Sequence, residues 1–202
     1  MSVDYWNNYY SRGGGKHKPS AFAKFCLPQM IPPCSVLDIG CGIGADSMFF
    51  SAYGIHVIGV DGSTEAIRRC LALWAYTNCS PNISFVCKTL ESLITCDMQC
   101  DHYYLRFFLH TIPPDMQFKC LQWIGSNIKE DGRLFIEARS DQDPYAVIGG
   151  HERYRINSDA LFDMIATTGL DILEFQESRG LSVTGSENPI LIRLVARKGV
   201  CS

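Results

Sequence analysis

No apolar run in this sequence approaches the ~18 residues that a membrane-spanning helix needs. The opening Met-Ser-Val-Asp-Tyr-Trp-Asn-Asn lacks the basic start and apolar stretch of a secretory signal. A soluble chain is expected, cytoplasmic (host cytoplasm if the source is viral) and without membrane insertion. Surplus charge is missing too. The chain has 18 Lys and Arg against 21 Asp and Glu, a net charge of −3, so no nucleic-acid partner is expected. The ten cysteines contain no Cys-x-x-Cys pair; Cys96 and Cys100 come nearest. Free thiols are therefore expected, with Cys34, Cys41, Cys70 and Cys87 acting as small apolar side chains, and neither a zinc site nor disulfides. The glycosylation sequons at Asn78 and Asn82 are expected to be silent. Repeats and linkers are also absent, and 202 residues suffice for a single domain spanning 1–202 with a sizeable core. A homodimer is left open.

What is present is concentrated between Ser35 and Asp46. Val36-Leu37-Asp38-Ile39 reads as a buried strand, Gly40, Gly42 and Gly44 follow at once, and a helical stretch begins at Ala45. Strand, glycine turn and helix open a nucleotide-binding βαβ unit, because glycine lets the backbone turn tightly and approach a ligand.

Further strands are expected over about 55–60, 83–87, 101–107, 133–138, 170–176 and 190–196. Helices are expected from Pro19 or Ser20 to about Met30, from Thr64 to about Thr77, from Pro113-Pro114 to about Ile128, and from Asn157 or Ser158 to about Thr168, with Ser158 as cap. The expected fold class is α/β: a Rossmann-like, seven-stranded, mainly parallel sheet with helices on both faces and the last strand antiparallel. Residues 1–18 carry Tyr5, Trp6, Tyr9 and Tyr10 ahead of Gly13-Gly14-Gly15. They are expected to form a short helix and loop over the cofactor cleft, with Arg12 among the cofactor contacts. The polar stretch at about 139–156 is long for a routine connection, which suggests a functional loop.

Gly40-x-Gly42-x-x-Ala45 with Asp61 about 20 residues on is a loose dinucleotide fingerprint. Asp38 just before the glycines suits a ligand carrying positive charge, and Asp46 obstructs the helix start where a pyrophosphate would sit. On Leu37-Asp38-Ile39-Gly40-Cys41-Gly42-Ile43-Gly44 the sequence resembles the class I S-adenosylmethionine-dependent methyltransferases, from about Pro19 onward. The resemblance implies S-adenosylmethionine as cofactor. Asp38 would balance its ammonium, Gly40, Cys41 and Gly42 would pass beneath it, and Asp46 would open the helix beside it. Asp61 would accept the ribose hydroxyls, with a helix cap as the plain alternative. Gly62 and Ser63 would flank the adenosine, Thr89 and Leu90 the adenine, and Arg106 and Phe107 the methionine portion.

The strand ends also deliver Arg106 to His110, then Glu137, Arg139, Asp141 and Asp143, and the loop adds His151, Glu152, Arg153 and Arg155. This edge suits a polar acceptor. A hydroxyl acceptor needs a base, and His110 and His151 are the candidates. Glu137 would orient either ring or bind a sugar hydroxyl, while Arg139 and Arg153 would hold the acceptor. The plain alternatives are a structural His110, a solvated His151, and a Glu137 paired with Arg139 or Arg106. No metal is expected, although Asp141, Asp143 and His151 could supply ligands. Tyr104 to His110, Phe135 to Arg139, His151 to Arg155 and Asn188 to Arg193 look like methyltransferase domains of glycan synthesis, which cap O-antigen chains or methylate viral glycans. That resemblance implies O-methylation of a sugar hydroxyl at a glycan terminus. Gly44-Ala45-Asp46-Ser47 with Phe49 and Phe50 is similar to tellurite and thiol methyltransferases, so a thiol, carboxylate, phosphate or metalloid oxyanion is the other acceptor class. The stretch after the fourth strand, Arg106-Phe107-Phe108-Leu109, lacks the Asn/Asp-Pro-Pro-Tyr pattern of nucleic-acid methyltransferases.

Overall fold

The computed structural model describes residues 3–76, 81–144, 147–148, 151–183 and 187–199; the Asn78 sequon lies outside them. The chain forms two compact units, one through Cys96 and one from Asp97.

The first unit holds helix α1 (Val3–Ser11), α2 (Ala21–Cys26), strand β1 (Ser35–Ile39), α3 (Ala45–Ala52), β2 (His56–Asp61), α4 (Thr64–Tyr76), β3 (Ile83–Cys87) and α5 (Leu90–Leu93). β1 is buried on both faces through Val36, Leu37, Asp38 and Ile39, as a central parallel strand must be. It pairs with β2 from Ser35↔His56 to Ile39↔Val60, and β2 pairs with β3 from Val57↔Ile83 to Asp61↔Cys87, both parallel. α4 buries Ala66, Ile67 and Cys70, one face of the helix. The helix expected to reach Met30 stops at Cys26 and tightens into a 3₁₀ turn over Leu27–Gln29. Pro28 lacks the N–H that would continue the α-helix.

The second unit holds β4 (Cys100–Arg106), α6 (Pro114–Asn127), β5 (Ile128–Arg139), the two-strand hairpin β6 (Val147–Ile148) and β7 (His151–Glu152), α7 (Ser158–Ala166), β8 (Leu170–Ser178) and β9 (Leu191–Lys198). β4 lies parallel to β5 from Tyr103↔Leu134 to Arg106↔Glu137. β9 runs antiparallel to both β5 and β8, because β8 and β9 are joined without a crossover helix. The seven strands form one helix-flanked sheet in the order β3-β2-β1-β4-β5-β9-β8. Two local expectations change. β5 starts at Ile128 rather than Arg133, bending at Asp131 with φ 61°. Asn157, not Ser158, caps α7 by accepting from Ala160 N at 3.0 Å; Ser158 Oγ donates to Glu177 instead.

His102, on β4, is buried and its Nδ1 accepts from the Arg133 N–H at 3.1 Å. Burial pulls its pKa down to about 4; the Arg133 charge acts the same way and Asp101 opposes it. The unfolded chain binds this proton near pH 6.5 and the folded chain does not. Stability is therefore present above 6.5 and is lost as pH falls toward 4, by about 3 kcal/mol in all. Urea midpoints at pH 7 and pH 5 should differ accordingly. The difference should shrink in His102→Asn, whose amide oxygen accepts the same N–H without titrating.

Candidate active site

The glycine loop is built at the end of β1. Gly40, Gly42 and Gly44 all have left-handed backbone, φ 74°, 56° and 76°. Gly40 N and Cys41 N both donate to Val60 O, at 2.8 and 3.1 Å, which hangs the loop on β2. Space demands glycine as well as torsion. A Cβ on Gly42 would lie 2.7 Å from the Tyr10 hydroxyl, and one on Gly44 would lie 2.7 Å from the Phe85 ring. Asp61 closes the cradle: its Oδ2 accepts from Gly42 N at 2.9 Å and its Oδ1 from Ser63 N at 2.8 Å. Burial raises the Asp61 pKa, and these two N–H groups partly offset that. Each carboxylate oxygen keeps a second lone pair for an incoming hydroxyl. The Cys41 and Cys70 thiols both donate to Gly42 O, at 3.8 and 3.1 Å. Burial and the adjacent Cys70 push the Cys41 thiol up, so it stays a neutral packing group rather than a nucleophile.

Around this cradle the expected contacts separate. Asp38 is buried and its carboxylate accepts from Ser47 Oγ. Asp46 is buried and accepts from both Ser20 N and Ser20 Oγ, at 2.7 and 2.8 Å. It ties down the start of α2, because Ser20 is also that helix's cap. Both acids were expected beside the cofactor, and both are engaged by serines of the surrounding helices. Ser63 is also engaged: its Oγ donates to Asn7 Oδ1 at 2.8 Å and accepts from Ala66 N at 3.1 Å. Thr89 caps α5 and Leu90 is buried in the core. A Cβ on Gly62 would stand in ordinary van der Waals contact with Thr89 and Val3, at 3.7–3.8 Å. Arg12 is exposed at the end of α1. Sequence reasoning missed Tyr10, whose hydroxyl touches Gly42, although it belongs to the aromatic cluster that marked the segment.

In the second unit, the charged groups expected at the acceptor are largely paired with one another. Glu137 is fully buried. Its Oε1 accepts from Arg106 Nε at 3.0 Å, its Oε2 from Arg193 Nε at 2.7 Å, and Ser182 Oγ lies within 3.1 Å of both oxygens. Arg106, Glu137 and Arg193 are register partners on β4, β5 and β9, so the ion pairs form a row across the sheet. The plain alternative, an ion pair with Arg106, is the one the structure contains, and Glu137 is an anchor rather than an acid or base. Arg139 pairs with Asp143 at 3.0 Å and Glu187 at 2.9 Å, so it braces the loop instead of standing ready for an acceptor. His110 is buried, and its Nδ1 accepts from Arg139 N at 3.2 Å. The neutral ring then carries its proton on Nε2, which leaves no free lone pair to act as a base. His151 sits on β7; its side chain lies outside the described residues. Arg153 is half-buried just beyond it. Ser182 escaped sequence reasoning because nothing local marks it, and Arg193 was named only as the end of the Asn188 to Arg193 stretch, without its pairing to Glu137.

Phe107 differs from these paired groups. It has φ 54°, unfavourable for a non-glycine residue. Its N–H donates to Glu137 O at 2.8 Å. Arg106 stacks over its ring at 4.4 Å, and the ring meets His110 edge-on at 5.8 Å. The rigid row behind Phe107 holds the strained turn in place. Among the described residues, no group of three or more His, Cys, Asp and Glu is gathered as a metal site would be.

Strand order, glycine cradle and the Asp61 cap are those of the Rossmann-like methyltransferase fold. Residues 36–132 match the family described as "Methyltransferase domain". The uncharacterized methyltransferase YcgJ of Bacillus subtilis is 32% identical over 110 residues, 54% of this chain. The match spans only 42% of that relative. Among solved structures, an S-adenosylmethionine-dependent methyltransferase from Methanosarcina mazei superposes with a TM-score of 0.75 at 16% identity, covering 87% of this chain and 97% of that one. The 1,6-didemethyltoxoflavin N1-methyltransferase of Burkholderia thailandensis, solved with S-adenosylhomocysteine, gives 0.77 at 17%, covering 98% and 87%. TehB from Haemophilus influenzae gives 0.72 at 18%, covering 97% and 66%. At these identities the structures share the fold.

Proposed function

We propose that this chain transfers the methyl group of S-adenosylmethionine to a small polar acceptor whose nucleophile is already ionised or otherwise reactive at neutral pH, such as a carboxylate, thiol or oxyanion. Bound there, the cofactor supplies an activated methyl group. The observation that carries the transfer is the glycine cradle closed by Asp61, with no Cβ where the backbone must come close. The reading of the acceptor rests on the second unit. His110, one of the two candidate bases, has its Nδ1 engaged, and Glu137, expected to orient such a base, has both carboxylate oxygens engaged. Methyl transfer then depends on in-line placement more than on proton abstraction. Arg106 and Arg193 share one carboxylate, which leaves residual positive charge behind Phe107 and favours an acidic acceptor. Solved relatives that act on small molecules, such as the toxoflavin-precursor methyltransferase, support this reading.

The second reading is O-methylation of a sugar hydroxyl at a glycan end, with His151 as base. It is favoured by the resemblance of the His151–Arg155 stretch to glycan methyltransferases. Incubation with methyl-labelled cofactor and a panel of carboxylic acids, thiols, phosphates, sugars and glycans separates the two. Label in the acids, thiols or phosphates supports the first; label confined to sugars, and lost in His151→Ala, supports the second. Cofactor binding with no label on any acceptor overturns both.

A further inference from the structure

Two reactive side chains meet between β3 and β4. Lys88 directly follows β3, Cys96 stands just beyond α5, and Lys88 Nζ donates to Cys96 Sγ at 3.0 Å. Backbone bonds fix both residues. Lys88 N donates to Asp61 O and Cys96 N to Leu93 O, each at 3.0 Å. The Cys96 thiol donates in turn to Ser92 O at 3.5 Å. Both residues are half-buried, so small solutes reach a pair that the chain holds together. Other thiols stand in a different setting. Burial pushes Cys120 up to about 12. Burial and the Asp61 carboxylate push Cys87 up, and Cys41 is held neutral beneath the glycine loop. Cys96 is partly exposed and faces a cation, the setting in which thiols react.

We propose that Lys88 and Cys96 form a reversible oxidation site, at which a peroxide converts the pair into a covalent sulfur–nitrogen cross-link, a sulfenamide. The Cys96 sulfur takes one oxygen from the peroxide, which is reduced to water, and becomes a sulfenic acid. The Lys88 ammonium gives one proton to solvent, and its nitrogen lone pair attacks that sulfur. The S–N bond forms, the S–O bond breaks, and the hydroxyl leaves as water with a second proton from the nitrogen. At 3.0 Å the nitrogen is already at attack distance, so the closure needs no rearrangement of the chain. Two equivalents of an external thiol reverse it: they become a disulfide and return the free thiol and amine. The cross-link spans the segment carrying Thr89 and Leu90. It holds the sulfur one oxidation step short of sulfinic acid, which thiols do not reverse.

Peptide mass mapping tests this. Trypsin cuts after Lys and Arg, and within residues 70–106 only Lys88 and the terminal Arg106 offer such a bond. The folded protein is treated with hydrogen peroxide, its remaining thiols are alkylated, and it is digested. A 70–106 peptide uncut at Lys88 and lighter by two hydrogens than the unmodified sequence is expected, with cleavage restored by dithiothreitol. Lys88→Arg keeps a cation beside the sulfur but removes the attacking amine. This variant is expected to lose the cross-link, to take a dimedone label at Cys96 and to accumulate sulfinic acid there. Cys96→Ser is expected to lose both cross-link and label. Full cleavage at Lys88 in the treated parent protein overturns the proposal, whether Cys96 is then unchanged, in a disulfide or a sulfinic acid. An uncut peptide that persists in Cys96→Ser overturns it as well. The readout is a mass, so it stands or falls independently of cofactor binding and methyl transfer.

Discussion

Replacing Glu137 by Gln is expected to cost about 3–5 kcal/mol of folding stability, which for a chain of this size lowers the melting temperature by roughly 6–20 °C. The expectation follows from the row across the sheet. Glu137 is fully buried, and Arg106 and Arg193 have 22% and 12% of their side chains exposed. A neutral amide cannot balance two guanidinium groups, and its NH₂ must face one of them as donor against donor. The loss leaves charge uncompensated in a poorly solvated place, which outweighs the modest value of an exposed ion pair. Ser182 also loses the carboxylate it binds. Urea unfolding at pH 7 measures the effect. A loss below about 1 kcal/mol would mean that water reaches the row and that the pairs add little. Replacing the exposed pair of Lys119 and Asp115, 3.6 Å apart on one helix face, should change stability by less than about 0.5 kcal/mol and serves as the contrast.

Asp61→Ala is expected to weaken S-adenosylhomocysteine binding about 100-fold, or roughly 3 kcal/mol. Two losses combine. Gly42 N and Ser63 N lose the acceptor that shapes the loop, and the cofactor loses a carboxylate able to take two hydroxyls. Titration calorimetry reads the change, and an unaltered affinity would sink the assignment. The pH dependence has a definite sign. Burial raises the Asp61 pKa in the free protein, so the native state binds its proton at higher pH than the unfolded chain does. This group alone makes the free protein lose stability as pH rises through the window just above the ordinary carboxylate range. A ligand that hydrogen-bonds the carboxylate favours the charged form. Affinity should therefore fall on acidification through the same window, and Asp61→Asn should lose that dependence.

The glycine cradle was legible because its requirements are local. A strand, three glycines in alternate positions and an acid about 20 residues on are written in consecutive residues, and each answers to backbone torsion or close approach at its own place. The acceptor side was not legible in the same way. Arg106, Glu137, Arg139 and His110 were correctly placed at the strand ends. A residue at a strand end can still be ionised and free, or buried and paired, with the same neighbours in sequence.

The difference between those states is set by partners far along the chain. Arg193 lies 56 residues from Glu137, Ser182 lies 45 from it, and Glu187 lies 48 from Arg139. Asp46 met Ser20 in the same way, across 26 residues. By itself, the sequence determined the alternation of strands and helices, the antiparallel last strand and the glycine cradle, because hydrophobic periodicity and φ are properties of single segments. Only the tertiary structure decided which acids remain available for chemistry. Strand register chooses who stands opposite whom, and an ion pair exists only where register and burial bring two charges together.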